Sequence, residues 1–277
     1  MAGQSEQLLC MSQSRVKRVV TLQTSGSTGA PKRFFFSEND LLATIAFFCS
    51  GMQELVKAGD RLLVLLPFEQ PDSVGHLLLS AMEQIRVKAT GQWPPESPET
   101  TANLIRTEQC SCVVGLPQHL LALSTALPRQ QVRTMLLCSD YAAPALRKQI
   151  ETNCGCTTFL HYGATESGLG GAVECGCHQG CHIRESDLLV EIIDPQTEQP
   201  LAAGLEGEGV LTTLQREAMP LLRYRTGDRA SLAPSPGTCG GVTARLQHIQ
   251  GRMQPCILQD GTPLYSQEVD QALYAIG

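Results

Sequence analysis

The sequence predicts an α/β fold: a mainly parallel sheet flanked by helices, with a smaller antiparallel β subdomain. Two observations carry this expectation. Between Arg61 and Asn153, short apolar runs alternate with helical ones across brief connections, the rhythm of a parallel sheet covered on both faces. From Leu188 onward the texture becomes strand, turn-rich loop, strand, which suits a smaller antiparallel sheet or barrel.

The elements follow in order. Val16 to Leu22 alternates and is β-branched, so it reads as a strand. Ser37-Glu38-Asn39-Asp40 offers a capping box, and Leu41, Leu42, Ile45, Ala46 and Cys49 follow at helical spacing. Arg61 to Pro67 is a continuous apolar strand of the kind buried on both faces. Ser73 to Ile85 reads as a helix with Val74, Leu77, Leu78 and Met82 on one side, and Pro94 to Glu99 as a loop. Cys110 to Pro117 and Val132 to Cys138 are further strands, followed by helices through Leu120, Leu121 and Leu123 and from Pro144 to Asn153. Leu188 to Pro195 and Gly209 to Leu214 are the late strands.

Composition narrows the class. The chain has 277 residues, 42% hydrophobic and 17% charged, enough to bury a substantial core in one or two domains. Its formal charge is −6 with no cluster of Lys and Arg, which argues against nucleic acid as partner. No apolar run reaches about 18 residues, so no membrane span is expected. The start, Met1 to Glu6, lacks a basic region followed by an apolar one, so the expected location is the cytoplasm and the twelve cysteines read as thiols or metal ligands.

Thr24-Ser25-Gly26-Ser27-Thr28-Gly29-Ala30-Pro31-Lys32 lies between the first strand and the first helix. Such a loop leaves backbone N–H groups uncovered; with its hydroxyls and one lysine it makes a cradle for phosphate oxygens. The spacing is not the Walker pattern, and read by itself the stretch is also compatible with a turn carrying an exposed lysine. Ser139-Asp140-Tyr141 ends a buried strand, where ligands collect in doubly wound sheets, although Ser139-Asp140 could equally cap the next helix. His161-Tyr162-Gly163-Ala164-Thr165-Glu166 and Arg223-Tyr224-Arg225-Thr226-Gly227-Asp228 are the remaining candidate elements.

Together and in this order, these four stretches resemble the signature elements of the adenylate-forming enzymes, the acyl- and aryl-CoA synthetase superfamily. The resemblance runs from about Val16 to Arg252. Within the superfamily, Thr165 to Gly171, Ile192 to Thr197 and Thr212 to Thr226 are most similar to the phenylacetate-CoA ligases. It implies the N-terminal domain core of that fold and ATP-dependent, AMP-forming activation of a small-molecule carboxylic acid with transfer to CoA. It also implies roles. Thr24, Ser25, Gly26, Ser27, Thr28, Gly29 and Lys32 would hold the β- and γ-phosphates; Ser139, Asp140, Tyr141, Tyr162 and Gly163 would hold adenine. Thr165 would bond the α-phosphate, Glu166 would hold Mg²⁺, and Asp228 would accept the ribose hydroxyls, with Lys32, Thr165 and Glu166 acting in catalysis. His76 and His161 are weaker candidates for the acid pocket.

The resemblance bears on the cysteines too. Zinc-bearing relatives use one cysteine and one histidine from the region of Cys175 to His182 and a Cys-x-Cys pair further on. Cys175, His182 and Cys239 match, but Gly237 stands where the first cysteine of the pair would be. Cys177 is the candidate for that vacancy in a structural Zn²⁺ site, with Cys181 or His178 in reserve. Free thiols remain the alternative.

Three units are expected: an α/β nucleotide-binding core at 1–187, a β-rich subdomain at 188–250, and the truncated start of a lid domain at 251–277. The family's lid carries a lysine that bonds the acid and the α-phosphate. No lysine follows Arg252, and Met253-Gln254-Pro255 replaces an acidic hinge. The sequence therefore also admits a nucleotide-binding module with lost or partner-dependent catalysis, and a homo-oligomer or protein partner in place of the lid.

Overall fold

A computed structural model describes residues 5–22 and 32–276. In chain order the strands and helices are β1 (Arg18–Leu22), β2 (Lys32–Phe36), α1 (Glu38–Met52), β3 (Arg61–Leu65), α2 (Val74–Gln84), β4 (Lys88–Gly91), α3 (Pro98–Glu108) and β5 (Cys112–Gly115). Next come α4 (Pro117–Ala126), β6 (Thr134–Leu137), α5 (Pro144–Cys154), β7 (Thr157–Tyr162), β8 (Ala172–Glu174), β9 (Cys181–Ile183) and β10 (Leu188–Ile193). The last are β11 (Glu206–Thr213), β12 (Tyr224–Leu232), β13 (Arg245–Gln247), β14 (Cys256–Ile257), β15 (Pro263–Leu264) and α6 (Ser266–Ala275).

Eleven of the described strands form one sheet, ordered β10-β11-β12-β13-β9-β8-β7-β6-β5-β3-β4. Strands β4, β3, β5, β6 and β7 are parallel. From β7 outward every pairing is antiparallel. The two strand textures in the sequence thus belong to one continuous sheet, and the antiparallel part begins at Ala172, ahead of the expected start at 188.

Alternation along the parallel strands explains the two-sided burial. Leu62, Val64, Val114 and Leu136 point into one core with α1 and α2. Leu63, Leu65, Val113 and Met135 point into the other with α3, α4 and α5. Successive strand side chains face opposite sides, so a run of apolar residues is what a sheet covered on both faces requires.

The capping box forms as expected: Ser37 Oγ accepts from Asp40 N at 3.1 Å, and Asp40 Oδ2 accepts from Ser37 N at 2.8 Å. Asp40 also accepts from Glu217 N and Ala218 N, which ties the start of α1 to the approach to β12.

Two elements differ from expectation. Helix α3 begins inside the stretch read as a loop, with Ser97 as its N-cap and Pro98 in its first turn. Strand β2 follows the Gly/Ser/Thr stretch directly, so β1 and β2 form an antiparallel ribbon pairing Leu22 with Lys32. Its anchor is Phe34, fully buried and edge-on to Tyr224 at 6.4 Å. Phe34→Ala should cost about 3–5 kcal/mol in urea unfolding, the usual loss for a buried phenyl ring; a cost below about 1 kcal/mol would show the ribbon to be anchored elsewhere.

Candidate active site

The carboxyl ends of β6 and β7 open onto a solvent-facing cleft. Ser139, Asp140 and Tyr141 form its β6 side, with Ser139 in the left-handed region at φ 69°. Asp140 does not cap α5, whose N-cap is Ala143. It braces the turn instead, accepting from Tyr141 N at 2.8 Å and from Gln118 Nε2 at 3.0 Å.

Opposite stands Asp228, delivered by an irregularity in the sheet. The register of β11 against β12 shifts between Glu208 and Val210, and Gly227 sits at φ 74°. Thr226 Oγ1 donates to Gly209 O at 2.7 Å and accepts from Asp228 N at 3.1 Å. A bulge of this kind re-aims a side chain, and the one after Gly227 points into the cleft. Tyr162 Oη donates to Asp228 Oδ2 at 3.0 Å, and Arg252 lies 3.4 Å from Oδ1. Burial raises the Asp228 pKa above the usual range, with Arg252 opposing the shift. Burial, and then the Asp228 charge, raise that of Tyr162.

The turn after β7 carries Thr165 and Glu166. Ser167 Oγ closes it, accepting from Ala164 N at 3.0 Å and donating to Ala164 O at 2.9 Å. Arg216 Nη1 holds the Glu166 carbonyl at 3.0 Å. The Glu166 carboxylate accepts from Tyr224 Oη at 2.8 Å, and that hydroxyl accepts from Lys32 Nζ at 3.2 Å. Lys32 and Glu166, far apart in the chain, therefore meet through one hydroxyl. Tyr224 stands within the Arg223 to Asp228 stretch that supplies the aspartate, and only the fold gives it this contact. Thr24 to Gly29 lie outside the described residues.

A second, mostly apolar pocket adjoins the cleft and shares Ser139, His161, Gly163 and Ala164 with it. Phe48, Met52, Leu78 and Leu136 line it, and Thr165 stands on its wall. His161 is on its wall. His76 is not; its Nδ1 accepts from Asp72 N at 3.2 Å at the start of α2.

A cluster of metal-ligand type lies elsewhere. Single ligand atoms of Cys175, His182 and Cys239 fall within 4.8 Å of one another. His182 Nε2 is 3.3 Å from Cys239 Sγ, while Nδ1 meets Thr243 Oγ1 at 2.9 Å, leaving Nε2 for the centre. Burial, then Arg245, lowers the His182 pKa and favours the neutral imidazole that metals need. Cys177 stands outside the group. The reserves are engaged as well. His178 packs on Phe159 at 5.1 Å and contacts Arg147 at 2.9 Å, and Cys181 Sγ faces Leu160 O. A Cβ on Gly237 would meet the Arg245 guanidinium at 3.1 Å, so this chain fills that position with arginine.

A family model described as AMP-binding enzyme matches residues 17–213. The chain belongs to this family. Phenylacetate-coenzyme A ligase of Thermus thermophilus is 35% identical over 181 residues, covering 62% of this chain and 40% of that protein. The Escherichia coli protein of the same name is 32% identical over 185 residues, covering 63% and 42%. The chain thus spans about 40% of the length of these curated relatives. Among solved structures, a 2-hydroxyisobutyryl-CoA ligase in complex with an acyl-AMP superposes with TM-score 0.83 at 21% identity, covering 96% of this chain and 58% of that one. ATP-bound MatB from Rhodopseudomonas palustris gives 0.67 at 17% identity, covering 93% and 52%. At those identities the superpositions establish the AMP-binding enzyme fold. No described helix of this family member is long and apolar enough to cross a membrane.

Proposed function

We propose that this chain activates a carboxylic acid with ATP as an acyl-adenylate and passes the acyl group to CoA. The convergence of Asp228, Tyr162 and the Lys32–Tyr224–Glu166 chain beside an apolar pocket carries the reading. Adenosine lies in the cleft, its ribose hydroxyls on Asp228 and its base against Ser139, Asp140, Tyr141, Tyr162 and Gly163. The acid lies in the adjoining pocket, its carboxylate toward Thr165. A carboxylate oxygen attacks the α-phosphorus, the bond to the bridging oxygen breaks, and pyrophosphate leaves; a thiol then attacks the acyl carbon and AMP departs. Lys32 and Glu166 suit the polyphosphate and a hard divalent cation respectively. Bound Mg²⁺ supplies charge neutralisation on the leaving pyrophosphate. Zn²⁺ on Cys175, His182 and Cys239 belongs to the same reading; two sulfurs and an imidazole nitrogen are three of the four donors that a structural site takes.

The test is release of pyrophosphate and AMP with a panel of aryl and short acyl acids, with and without CoA. Asp228→Ala should raise KM for ATP by about 10- to 100-fold, the worth of hydrogen bonds to a charged group, and leave KM for the acid unchanged. Tight calorimetric binding of ATP without product would overturn the ligase reading in favour of a nucleotide-binding module.

A further inference from the structure

His161 has no part in the chemistry just described, yet it stands on the wall shared by the acid pocket and the nucleotide cleft. Its surroundings are apolar. The rings of Phe47 and Phe48 lie 6.0 and 6.4 Å away between centroids, and a Cβ on Gly163 would meet the imidazole at 2.6 Å. Both ring nitrogens are buried without a hydrogen-bond partner. The other side chains in that condition among the described residues (Ser73, His119 and Gln131) do not line this pocket. Desolvation pushes the His161 pKa down to about 4, so the ring is neutral near pH 7, with one N–H donor and one bare acceptor nitrogen.

An imidazole with both groups unmade is destabilising, whereas phenylalanine or leucine would complete the same wall without that penalty. Polar satisfaction that the protein lacks can come from a bound ligand. We propose that His161 is a specificity-determining residue: the acid pocket takes a largely apolar carboxylic acid bearing a neutral hydroxyl that pairs with this imidazole. A hydroxyl both donates and accepts, so it serves whichever nitrogen meets it. A second carboxylate or an ammonium group would enter an apolar wall with no opposite charge from a neutral ring. The pairing needs the ring to turn a nitrogen toward the pocket, a χ2 rotation within the broad torsional wells of histidine. This inference rests on the acid-activation reading of the site.

The experiment compares phenylacetate with its ring-hydroxylated and α-hydroxylated analogues on the wild-type chain, His161→Phe and His161→Asn. Two readouts are taken: kcat/KM for pyrophosphate release, and calorimetric affinity for the same acids with AMP present. The wild type should favour one hydroxylated acid over phenylacetate by about 10- to 100-fold, the discrimination one satisfied hydrogen bond gives in a dry pocket. His161→Phe should abolish or invert that ratio, and His161→Asn, which keeps a donor and an acceptor, should retain part of it. A purely structural role would alter both acids alike and leave the ratio untouched. No preference in the wild type, or a preference surviving in His161→Phe, overturns the proposal. Absence of turnover with every acid overturns acid activation instead, and the affinity ratios still decide the role of His161.

Discussion

Glu166→Gln is expected to slow pyrophosphate release by about 10²–10³-fold at saturating ATP. That is the scale of removing one preorganised electrostatic contact at a charge-developing centre. The substitution keeps the side chain's size, and an amide oxygen still accepts from Tyr224 Oη, which stands 2.8 Å from the carboxylate. The backbone bond from Arg216 is unaffected. Melting temperature should therefore stay at the wild-type value while the rate falls and the Mg²⁺ concentration for half-maximal rate rises. A wild-type rate would remove Glu166 from the reacting centre. A collapse of stability would assign it to the structure of the turn.

Removing metal should act on stability instead. Cys175 lies just after β8, His182 on β9 and Cys239 in the connection between β12 and β13, so one ion on all three crosslinks segments far apart in sequence. Structural zinc contributes about 10–16 kcal/mol of folding free energy in small domains where nothing else holds the ligands. Here the sheet that carries β8, β9 and β13 is built without the metal, so a smaller part is expected. A loss of about 3 kcal/mol lowers the melting temperature by about 6–12 °C. Chelation, Cys239→Ser and His182→Ala should each produce such a drop by calorimetry, together with loss of about one zinc per chain by elemental analysis. Metal-free protein with an unchanged melting temperature would leave the three residues as ordinary side chains.

The parallel half of the fold was legible because its strands are covered on both faces. Leu62 to Leu65 had to be apolar without interruption, and each face found its own helices. Ser37 and Asp40 announced α1 because a capping box is local chemistry. Strand β2 was not legible: Phe34-Phe35-Phe36 carries no alternation and sits between a glycine-rich stretch and a helix start. Its identity comes from pairing with β1, a tertiary fact. Helix α3 was obscured by the prolines that precede and begin it. In the site, Asp228 and Tyr162 are joined by a hydrogen bond across 66 positions, and their motifs pointed to the same cleft. The part of Tyr224 is not legible in the sequence, because it lies in what its hydroxyl touches. Cys177, the candidate for the fourth ligand, stands outside the group of Cys175, His182 and Cys239, since spacing along a loop does not fix which side chains meet. Gly237, read as a vacancy, is the space that Arg245 fills.

The Tyr224 hydroxyl has a consequence for how a polyanion is received. A lysine and a glutamate in direct contact must be pulled apart before either can serve an incoming ligand, and that separation adds to the barrier. With a phenol interposed at 3.2 Å from one and 2.8 Å from the other, ammonium and carboxylate are already spaced and oriented. The rearrangement that accompanies binding then reduces to two neutral–ionic contacts changing partner.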